Sequence, residues 1–418
     1  MLCTRVWTYA QRMFVPIRQT SFHQSSPGPT VHAMLITREQ LEALEERTLA
    51  PYALQSRASK GREHPEDEPE YRTAFQRDRD RILHTTAFRR LEYKTQVFVN
   101  FEGDYYRTRL THTLEVTQIG RSLARAFGAN EDLVEAICLG HDLGHPPFGH
   151  SGEAILNKLM AGHGGFDHNR QSLRIVTQLE ARYPDWPGLN LTYELREGII
   201  KHETEYDLSD SAAEGFDPSL RASLEAQIAN VADELAYNAH DLDDGLRSGL
   251  LAPRQLDALG IWQMLRDSIG WDGKNFTEQI RHRMIRRMLG IEINDVIEAT
   301  GTALAHLQPQ SPEAIQRLSH NVVQHSDEIK RSNAELKMFL YNEMYRHHRV
   351  ARMAVKAERF ITQIFETYIA EPGQLPPSVQ RAADERGLHR AITDYIAGMT
   401  DRYALHEWQR LFDPFTRT

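Results

Sequence analysis

The sequence predicts an all-α protein, and three observations support that prediction. Apolar residues recur at spacings of three and four along most of the 418-residue chain, which is the period of an amphipathic helix. Sustained period-two alternation, typical of β-strands, does not occur, and no P-loop, GxGxxG or GxSxG motif is found. The apolar content of 40% is ordinary for a globular protein, so we expect the helices to pack on one another.

The bulk composition limits the functional classes. No run of about 18 apolar residues is present, so the sequence offers no candidate for a membrane-spanning helix. The formal net charge of -9 argues against broad electrostatic binding of nucleic acid, although it leaves room for a local basic patch. The two cysteines, Cys3 and Cys138, provide no disulfide framework, and a reducing cytoplasm is the expected compartment.

Composition and pattern divide the chain into four regions. Residues 1–33 contain three arginines but no lysine and no acidic residue, as in a targeting peptide or a disordered tail. We expect a disordered extension that activity does not need. Residues 34–110 are expected to form an N-terminal helical segment with a strand or loop, residues 111–250 a helical core, and residues 251–418 a C-terminal helical region.

The first elements after the extension are a helix, a loop and a second helix. Thr37 stands before spaced leucines and acidic residues, which predicts a capped helix. Residues 56–70 have no apolar period, which is typical of a loop. A long charged helix is predicted over residues 71–91, and residues 94–99 are predicted to be extended.

Two consecutive predicted helices each place a histidine on the apolar face. The buried faces carry Val116, Ile119, Leu123 and Phe127 in the first helix and Val134, Ile137 and Cys138 in the second. His112 is the first residue of the buried face of the first helix, and His141 is the next residue on the buried face of the second helix, after Cys138. A lone buried histidine is usually a satisfied core residue, but two on the inward faces of neighbouring helices can meet.

The segment of residues 141–153, HDLGHPPFGHSGE, is the most informative part of the chain. The adjacent pair His141-Asp142 can hold one divalent ion through a nitrogen and an oxygen, a mixed set that suits Mg, Mn, Fe, Co or Ni better than a thiolate-type zinc site. The alternative is a polar loop that is rich in histidine by chance. A helix is predicted after the Pro-Pro turn, so His150 and Glu153 would lie on one face.

A later helix, predicted over residues 220–240, has two buried-looking faces. Asp233, Tyr237 and Asp241 are spaced by four and form one polar stripe along this buried surface. A buried carboxylate needs a partner, and a metal ion is a suitable one. Beyond residue 251 the pattern stays helical.

The order of His112, His141-Asp142 and Asp233 resembles the ligand order of the HD-domain metal-dependent phosphohydrolases. The sequence motifs around these residues resemble more closely those of the dGTPase-like deoxynucleoside triphosphate triphosphohydrolases. Those motifs are FRRL at 88–91, KTQVF at 94–98, RTRLTHTLEV at 107–116, HDLGHPPFGHSGE at 141–153 and ADELAYNAHD at 232–241. The resemblance covers about residues 34–418 and implies an HD-domain helical core with additional N- and C-terminal helices. It implies that residues 111–250 are the metal-binding catalytic core and that the strand or loop within residues 34–110 contacts the substrate.

The resemblance implies a role for each matched position. One divalent ion would be bound by His112, His141, Asp142 and Asp233. The scissile phosphorus would be surrounded by His145, His150, Glu153 and His168, with His150 and Glu153 as the acid/base or nucleophilic pair. Phosphates would be contacted by Arg109 and Lys201. The sugar and its 3′-hydroxyl would be held by Gln96, Tyr237 and Asp241, with Val97 crowding the 2′ position.

The chemistry of these residue types is consistent with those roles. Two histidines and two aspartates leave coordination positions open for water and a phosphate oxygen, and the ion would lower the water's pKa and polarise the phosphoryl group. His150, oriented by Glu153, can donate a proton near pH 7. The departing 5′-oxygen needs such an acid, because it is a poor leaving group without a proton.

The resemblance implies hydrolysis of dGTP, or of dNTPs generally, to deoxynucleoside and inorganic triphosphate. It also implies a homo-oligomer, a tetramer or hexamer, with dNTP effectors at subunit contacts, for which the basic stretches 281–287 and 346–352 are the candidates. One alternative is another HD phosphohydrolase, such as a nucleotidase or a cyclic-nucleotide phosphodiesterase. The other is a nucleotide-sensing or single-strand nucleic-acid-binding protein, against which the intact metal and acid set argues. The sequence does not determine the base preference.

Overall fold

The computed structural model describes residues 35–96, 107–203 and 215–417. Within these ranges the chain forms seventeen α-helices, several short 3₁₀ and π turns and no β-strand, which confirms the all-α prediction. No helix in the described part combines the length and apolar character that crossing a bilayer requires. The expected extension over residues 1–33 and the residue Val97 lie outside the described residues.

The helices are numbered in chain order. Those of the N-terminal half are α1 Arg38–Thr48, α2 Ala74–Leu83, α3 Thr86–Arg90, α4 Arg109–Phe127, α5 Glu131–Gly140, α6 Gly149–Leu159, α7 His168–Arg174, α8 Tyr193–Ile200 and α9 Leu224–Arg247. Those of the C-terminal half are α10 Gly260–Ile269, α11 Glu278–Leu307, α12 Pro312–Gln316, α13 Asp327–Leu340, α14 His348–Ala370, α15 Pro377–Arg386, α16 Leu388–Ala397 and α17 Asp401–Phe412.

Capping residues explain where these helices depart from the predicted bounds. The single helix predicted over residues 71–91 is divided into α2 and α3, because the Thr85 side chain accepts the backbone N–H of Phe88 and starts a new helix. Ser223 caps α9 in the same way, accepting the N–H of Ala226, and α9 continues beyond the predicted end to Arg247.

Helices α4, α5 and α9 pack against one another at the centre of the largest apolar cluster, which also includes residues of α2 and α8. Gly120 of α4 permits the close approach. A Cβ atom at this position would lie 2.9 Å from Cys138 Sγ on α5 and 3.6 Å from the Cβ of Ala232 on α9. Cys138 is therefore a small core residue at the crossing of the three helices.

Two further apolar clusters flank the central one. The second joins the end of α9 to α10, α11 and α13. The third joins α6 to α14, α16 and α17. Helix α6, which follows the Pro-Pro turn, thus packs on the C-terminal helices rather than on the central three.

The loop between α5 and α6 is pressed against the start of α7 at Gly144. A Cβ atom here would lie 2.1 Å from the carbonyl oxygen of His168 and 2.3 Å from the backbone nitrogen of Ser172. The Gly144 N–H donates to the Ser172 hydroxyl at 2.8 Å. Only glycine fits between these backbones, and its fit brings His145 beside His168.

We therefore expect Gly144→Ala to lower the free energy of unfolding by about 1–3 kcal/mol or more, because backbone atoms must move to admit the methyl group. The measurement is urea denaturation followed by circular dichroism. Gly301→Ala is the control, since this glycine lies inside α11 with nothing within 4 Å of an added Cβ. It should stabilise the protein by up to roughly 1 kcal/mol. Equal midpoints for the two variants would contradict the packing argument.

Candidate active site

Four helices bring histidine and carboxylate side chains to one buried point. His112 lies on α4, the pair His141-Asp142 follows α5, and Asp233 lies in the middle of α9. His112 Nε2 is 2.8 Å from Asp233 Oδ1, and His141 Nε2 is 3.7 Å from the same oxygen. His202, which follows α8, places its Nε2 3.3 Å from Asp233 Oδ2.

Hydrogen bonds on the outer side of each ring determine which nitrogen faces the cluster. His141 Nδ1 donates to the carbonyl oxygen of Cys138 at 2.6 Å, so in the neutral ring, the form that can bind a metal ion, the lone pair is on Nε2. Behind His112 lies a chain of two contacts. His240 Nε2 is 2.6 Å from Glu115 Oε2, and His240 Nδ1 is 3.1 Å from His112 Nδ1.

These two contacts orient the His112 ring so that, as in His141, Nε2 faces the cluster. A carboxylate only accepts, so His240 carries its proton on Nε2 and accepts at Nδ1 from the N–H of His112. The lone pair of His112 Nε2 then faces the Asp233 carboxylate across 2.8 Å. The contact is favourable only when a positive charge lies between or beside these two atoms, either a metal ion or a proton on His112 itself.

The donor set therefore fits a divalent metal ion. The ligand atoms of His112, His141 and Asp233 all lie within 4.8 Å of one another. His141 Nε2 and Asp142 Oδ2 are buried and have no hydrogen-bond partner among the described residues. Imidazole and carboxylate donors of this kind suit Mn, Fe, Co, Ni or Mg.

Asp142 also contacts a buried guanidinium. Arg109 Nη1 donates to Asp142 Oδ1 at 2.8 Å, and His145 Nε2 lies 3.2 Å from the same oxygen. Burial opposes the charge of Asp142, but Arg109 and His141 hold the pKa of the carboxyl well below its usual range. Arg109 keeps Nε and Nη2 buried without a partner in the described part of the chain, so it can bind a further anionic group.

A second group of side chains surrounds Glu153 on α6. Glu153 Oε1 accepts from the backbone N–H of His168 at 2.8 Å and lies 2.9 Å from His168 Nδ1. His150 Nδ1 is 3.5 Å from Glu153 Oε2. Burial opposes ionisation of Glu153, yet His168 and His150 lower the pKa of its carboxyl far below the ordinary value.

The histidines of this second group differ in exposure. The His145 ring stacks on that of His168 with centroids 4.0 Å apart, and both are buried. Burial, with the nearby Arg109 and His168, keeps the pKa of His145 well below its usual value, so His145 is neutral at pH 7. The His150 side chain is 40% exposed, which gives it access to solvent.

One pocket contains both groups. It is lined by Gln96, Arg109, His112, His141, Asp142, His145, His150, His168, His202, Asp233, Glu234, Tyr237, Asn238 and Lys337. The structure thus brings together the four expected metal ligands, three of the four expected catalytic residues and, beside them, Gln96, Arg109 and Tyr237. Glu153 is not in the pocket wall but holds His150 and His168 from behind.

Two expected substrate contacts are placed differently. Lys201 does not line the pocket, because its Nζ donates to Glu197 Oε1 at 2.9 Å and to the carbonyl oxygen of Leu220 at 2.8 Å. Asp241 is buried beyond the pocket wall and accepts from the hydroxyl of Tyr345, which in turn contacts the hydroxyl of Tyr237. Neither side chain is among those that line the pocket in this arrangement.

Sequence reasoning missed several residues of the site. His202 beside Asp233 belongs to no motif word, and its only signal is its position just after the short apolar helix α8. Lys337 of α13 reaches the pocket and pairs with Glu234 at 2.7 Å. No local pattern marks it, because it is brought there by contact between α13 and α9.

Comparison with known proteins identifies two family domains in the chain. Residues 109–238 match the HD domain, and residues 323–410 match the phosphohydrolase-associated domain. A deoxyguanosinetriphosphate triphosphohydrolase-like protein of Geobacter sulfurreducens is 50% identical over 384 residues, covering 92% of this chain and 100% of that relative. Relatives of the same name occur in Geobacter metallireducens, with 49% identity over 89% of this chain and 97% of the relative, and in Nitrosomonas europaea, with 50% identity over 87% and 98%.

The contact chain behind His112 leads to a prediction about metal affinity. His240→Leu removes the acceptor that fixes the His112 ring, so we expect affinity for a divalent ion to fall by about 10–100-fold. The measurement is a competition titration of Mn²⁺ against a chelator.

His325→Leu is the matched control. His325 is also buried and contacts a carboxylate, Asp295, at 3.2 Å, but it does not line the pocket, so Mn²⁺ affinity should stay unchanged. Asp233→Ala should abolish Mn²⁺ binding while the helical circular dichroism persists. Wild-type Mn²⁺ affinity in His240→Leu would contradict the proposed role of the contacts from Glu115 through His240 to His112.

Proposed function

The chain belongs to the deoxyguanosinetriphosphate triphosphohydrolase-like family of HD-domain phosphohydrolases, and on this premise we propose that it hydrolyses deoxynucleoside triphosphates. The proposed products are a deoxynucleoside and inorganic triphosphate. The supporting observation is one pocket in which His112, His141 and Asp233 form a metal-binding set beside the group around Glu153.

The metal half of the site would bind the triphosphate and the attacking water. A divalent ion held by His112, His141, Asp142 and Asp233 would lower the pKa of a bound water and polarise a phosphate oxygen. Arg109 adds fixed positive charge, because Nη1 is anchored on Asp142 and the remaining guanidinium nitrogens face inward without a partner among the described residues. A planar guanidinium held in this way suits a phosphate group.

The second half would manage the protons of the reaction. Water adds to the α-phosphorus and loses one proton to solvent, the bond from that phosphorus to the 5′-oxygen breaks, and the 5′-oxygen takes a proton. His150 is the proposed donor, because it is the part-exposed histidine of the group and can regain a proton from solvent. Glu153 holds His150 and His168 in place, and His145, neutral and stacked on His168, completes the wall.

The sugar would lie between Gln96 and Tyr237 on the pocket wall. Gln96 Oε1 is buried and has no partner among the described residues, so it can accept a hydrogen bond from a sugar hydroxyl. Tyr237 is braced by Tyr345 and, through it, by Asp241, which suggests that Asp241 acts on the sugar indirectly. Val97 is the residue proposed to exclude a 2′-hydroxyl, whereas Lys201, whose Nζ is engaged by Glu197 and Leu220, has no proposed role in binding the substrate.

Product analysis tests the proposed reaction. The protein is incubated with each of the four dNTPs, with Mg²⁺ and with Mn²⁺, and products are separated by ion-exchange chromatography. We expect inorganic triphosphate and deoxynucleoside in equal amounts. Release of pyrophosphate or monophosphate would place the protein among other phosphohydrolases, and binding without turnover would contradict an enzymatic role.

His150→Gln should separate metal binding from chemistry. We expect metal content to be unchanged and kcat to fall by about 10²–10⁴-fold, because the proton donor is lost while the ligands stay. His163→Gln is the control, since His163 stacks on His389 outside the pocket and should leave kcat unchanged. Normal turnover in His150→Gln would assign the proton to His145 or His168, whose rings lie 5.2 Å and 6.4 Å from that of His150.

The proposal includes a homo-oligomer regulated by dNTPs. Within the first basic stretch, Arg281 is buried and paired with Asp243, whereas Arg283, Arg286 and Arg287 are exposed on α11 and available for contacts. Stimulation of one dNTP's hydrolysis by another, in a protein that sediments as an oligomer, would support this part. Strictly additive rates from a monomer would contradict it and leave the catalytic proposal intact.

A further inference from the structure

The two halves of the active site rest on different apolar cores. His112 and Asp233 project from α4 and α9, which form the central cluster. His150 and Glu153 project from α6, whose apolar residues Ile155 and Leu156 pack in the third cluster with the C-terminal helices α14, α16 and α17. The distance between the halves therefore depends on how the C-terminal helices are held against the rest of the chain.

Asp401, the first residue of α17, makes that connection. Its side chain is buried at 1% exposure. Oδ1 accepts the backbone N–H of Phe148 at 2.9 Å. Oδ2 accepts the backbone N–H of Thr95 at 3.0 Å and also the Thr95 hydroxyl. One carboxylate thus holds the residue before Gln96 and the residue two positions before His150.

Lys94, the neighbour of Thr95, also connects this segment to the loop after α5 and to the C-terminal helices, but it donates hydrogen bonds where Asp401 accepts them. Lys94 is fully enclosed, and its Nζ donates to the carbonyl oxygen of His145 and to that of Ala397 at 3.1 Å. Lys94 and Thr95 therefore link the loop after α5 to the end of α16 and the start of α17. These contacts give the buried polar side-chain atoms of Lys94, Thr95 and Asp401 hydrogen-bond partners where the segments meet.

The backbone of Phe148 shows why the joint matters for His150. Phe148 has φ +65°, the left-handed region that a residue with a bulky side chain rarely adopts, and it is the N-cap of α6. Such a conformation persists only where surrounding contacts determine it. Here the N–H is held by Asp401 and the ring is buried in the third cluster. The direction of the first turn of α6, which carries His150, follows from this residue.

We propose that Asp401 is a positioning residue that sets the spacing between the Gln96 side of the pocket and His150. The inference rests on the proposed function, since its consequence is expressed in turnover. It gives the C-terminal helices a specific role, because they complete the proton-transferring half of a site whose metal-binding half lies elsewhere.

Asp401→Asn tests the proposal with little change of shape. The amide oxygen replaces one acceptor, but the amide nitrogen would oppose an N–H of Thr95 or Phe148. We expect kcat to fall by about 10–100-fold with dNTP as substrate, the size of effect that a misplacement of about 1 Å produces, and KM to rise because Gln96 shifts as well. Metal content should be unchanged.

Asp78→Asn is the matched control. Asp78 is equally buried and accepts the N–H of Thr192 at 2.8 Å and its hydroxyl at 2.6 Å, but it lies outside the pocket. It should lower the thermal midpoint at least as much as Asp401→Asn while leaving the kcat and KM of the folded protein unchanged. A general loss of stability lowers apparent kcat with the folded fraction and does not alter KM. Wild-type kcat and KM in Asp401→Asn would overturn the proposal.

Hydrogen–deuterium exchange provides a readout independent of activity. In Asp401→Asn, peptides that contain the amides of Thr95 and Phe148 should exchange faster, and peptides from the middle of α4 and α9 should not. If the wild-type protein releases no triphosphate but the variant shows this exchange pattern, the proposed reaction fails and the structural link stands. Unchanged exchange at both amides would overturn the link whatever the activity.

Discussion

The buried carboxylate of Asp233 is the constraint on which the arrangement of helices depends. Burial opposes its charge, while His141 and His112 hold its pKa well below the usual range. A carboxylate in the middle of a long interior helix is costly unless oppositely charged or hydrogen-bonding partners meet it. Helices α4, α5 and α8 each bring a histidine to this carboxylate on α9, so the site exists only when these four helices are packed together.

The proposed metal ligands lie on helices α4 and α9 and at the end of α5, whereas the groups proposed for proton transfer lie on the loop after α5 and on the start of α6. Gly144 and Phe148 are the two tight points of that loop, one because backbones meet there and one because its φ is positive. Both are held by residues distant in sequence, α7 in the first case and α17 in the second. The active site therefore combines parts whose relative position is decided by tertiary contacts.

Charge is distributed unevenly in this acidic chain. The formal net charge is -9, and the pocket wall combines Arg109 and Lys337 with the carboxylates Asp142, Asp233 and Glu234. Arg109 and Lys337 are each held by one carboxylate, Asp142 and Glu234, which fixes their position. A few fixed positive groups in a chain of negative net charge would suit the proposed triphosphate substrate and disfavour indiscriminate binding of polyanions.

Helical periodicity alone predicted the all-α class and placed His112, His141 and Asp233 on inward faces, because the 3.6-residue period decides locally which side of a helix is buried. It could not choose between Lys201 and His202 at the end of α8, since that choice depends on how α8 meets α9. Nor could it find Asp401, whose partner Thr95 is 306 residues away. A local pattern records which face of a helix is apolar, whereas a contact between distant segments exists only once the helices have packed.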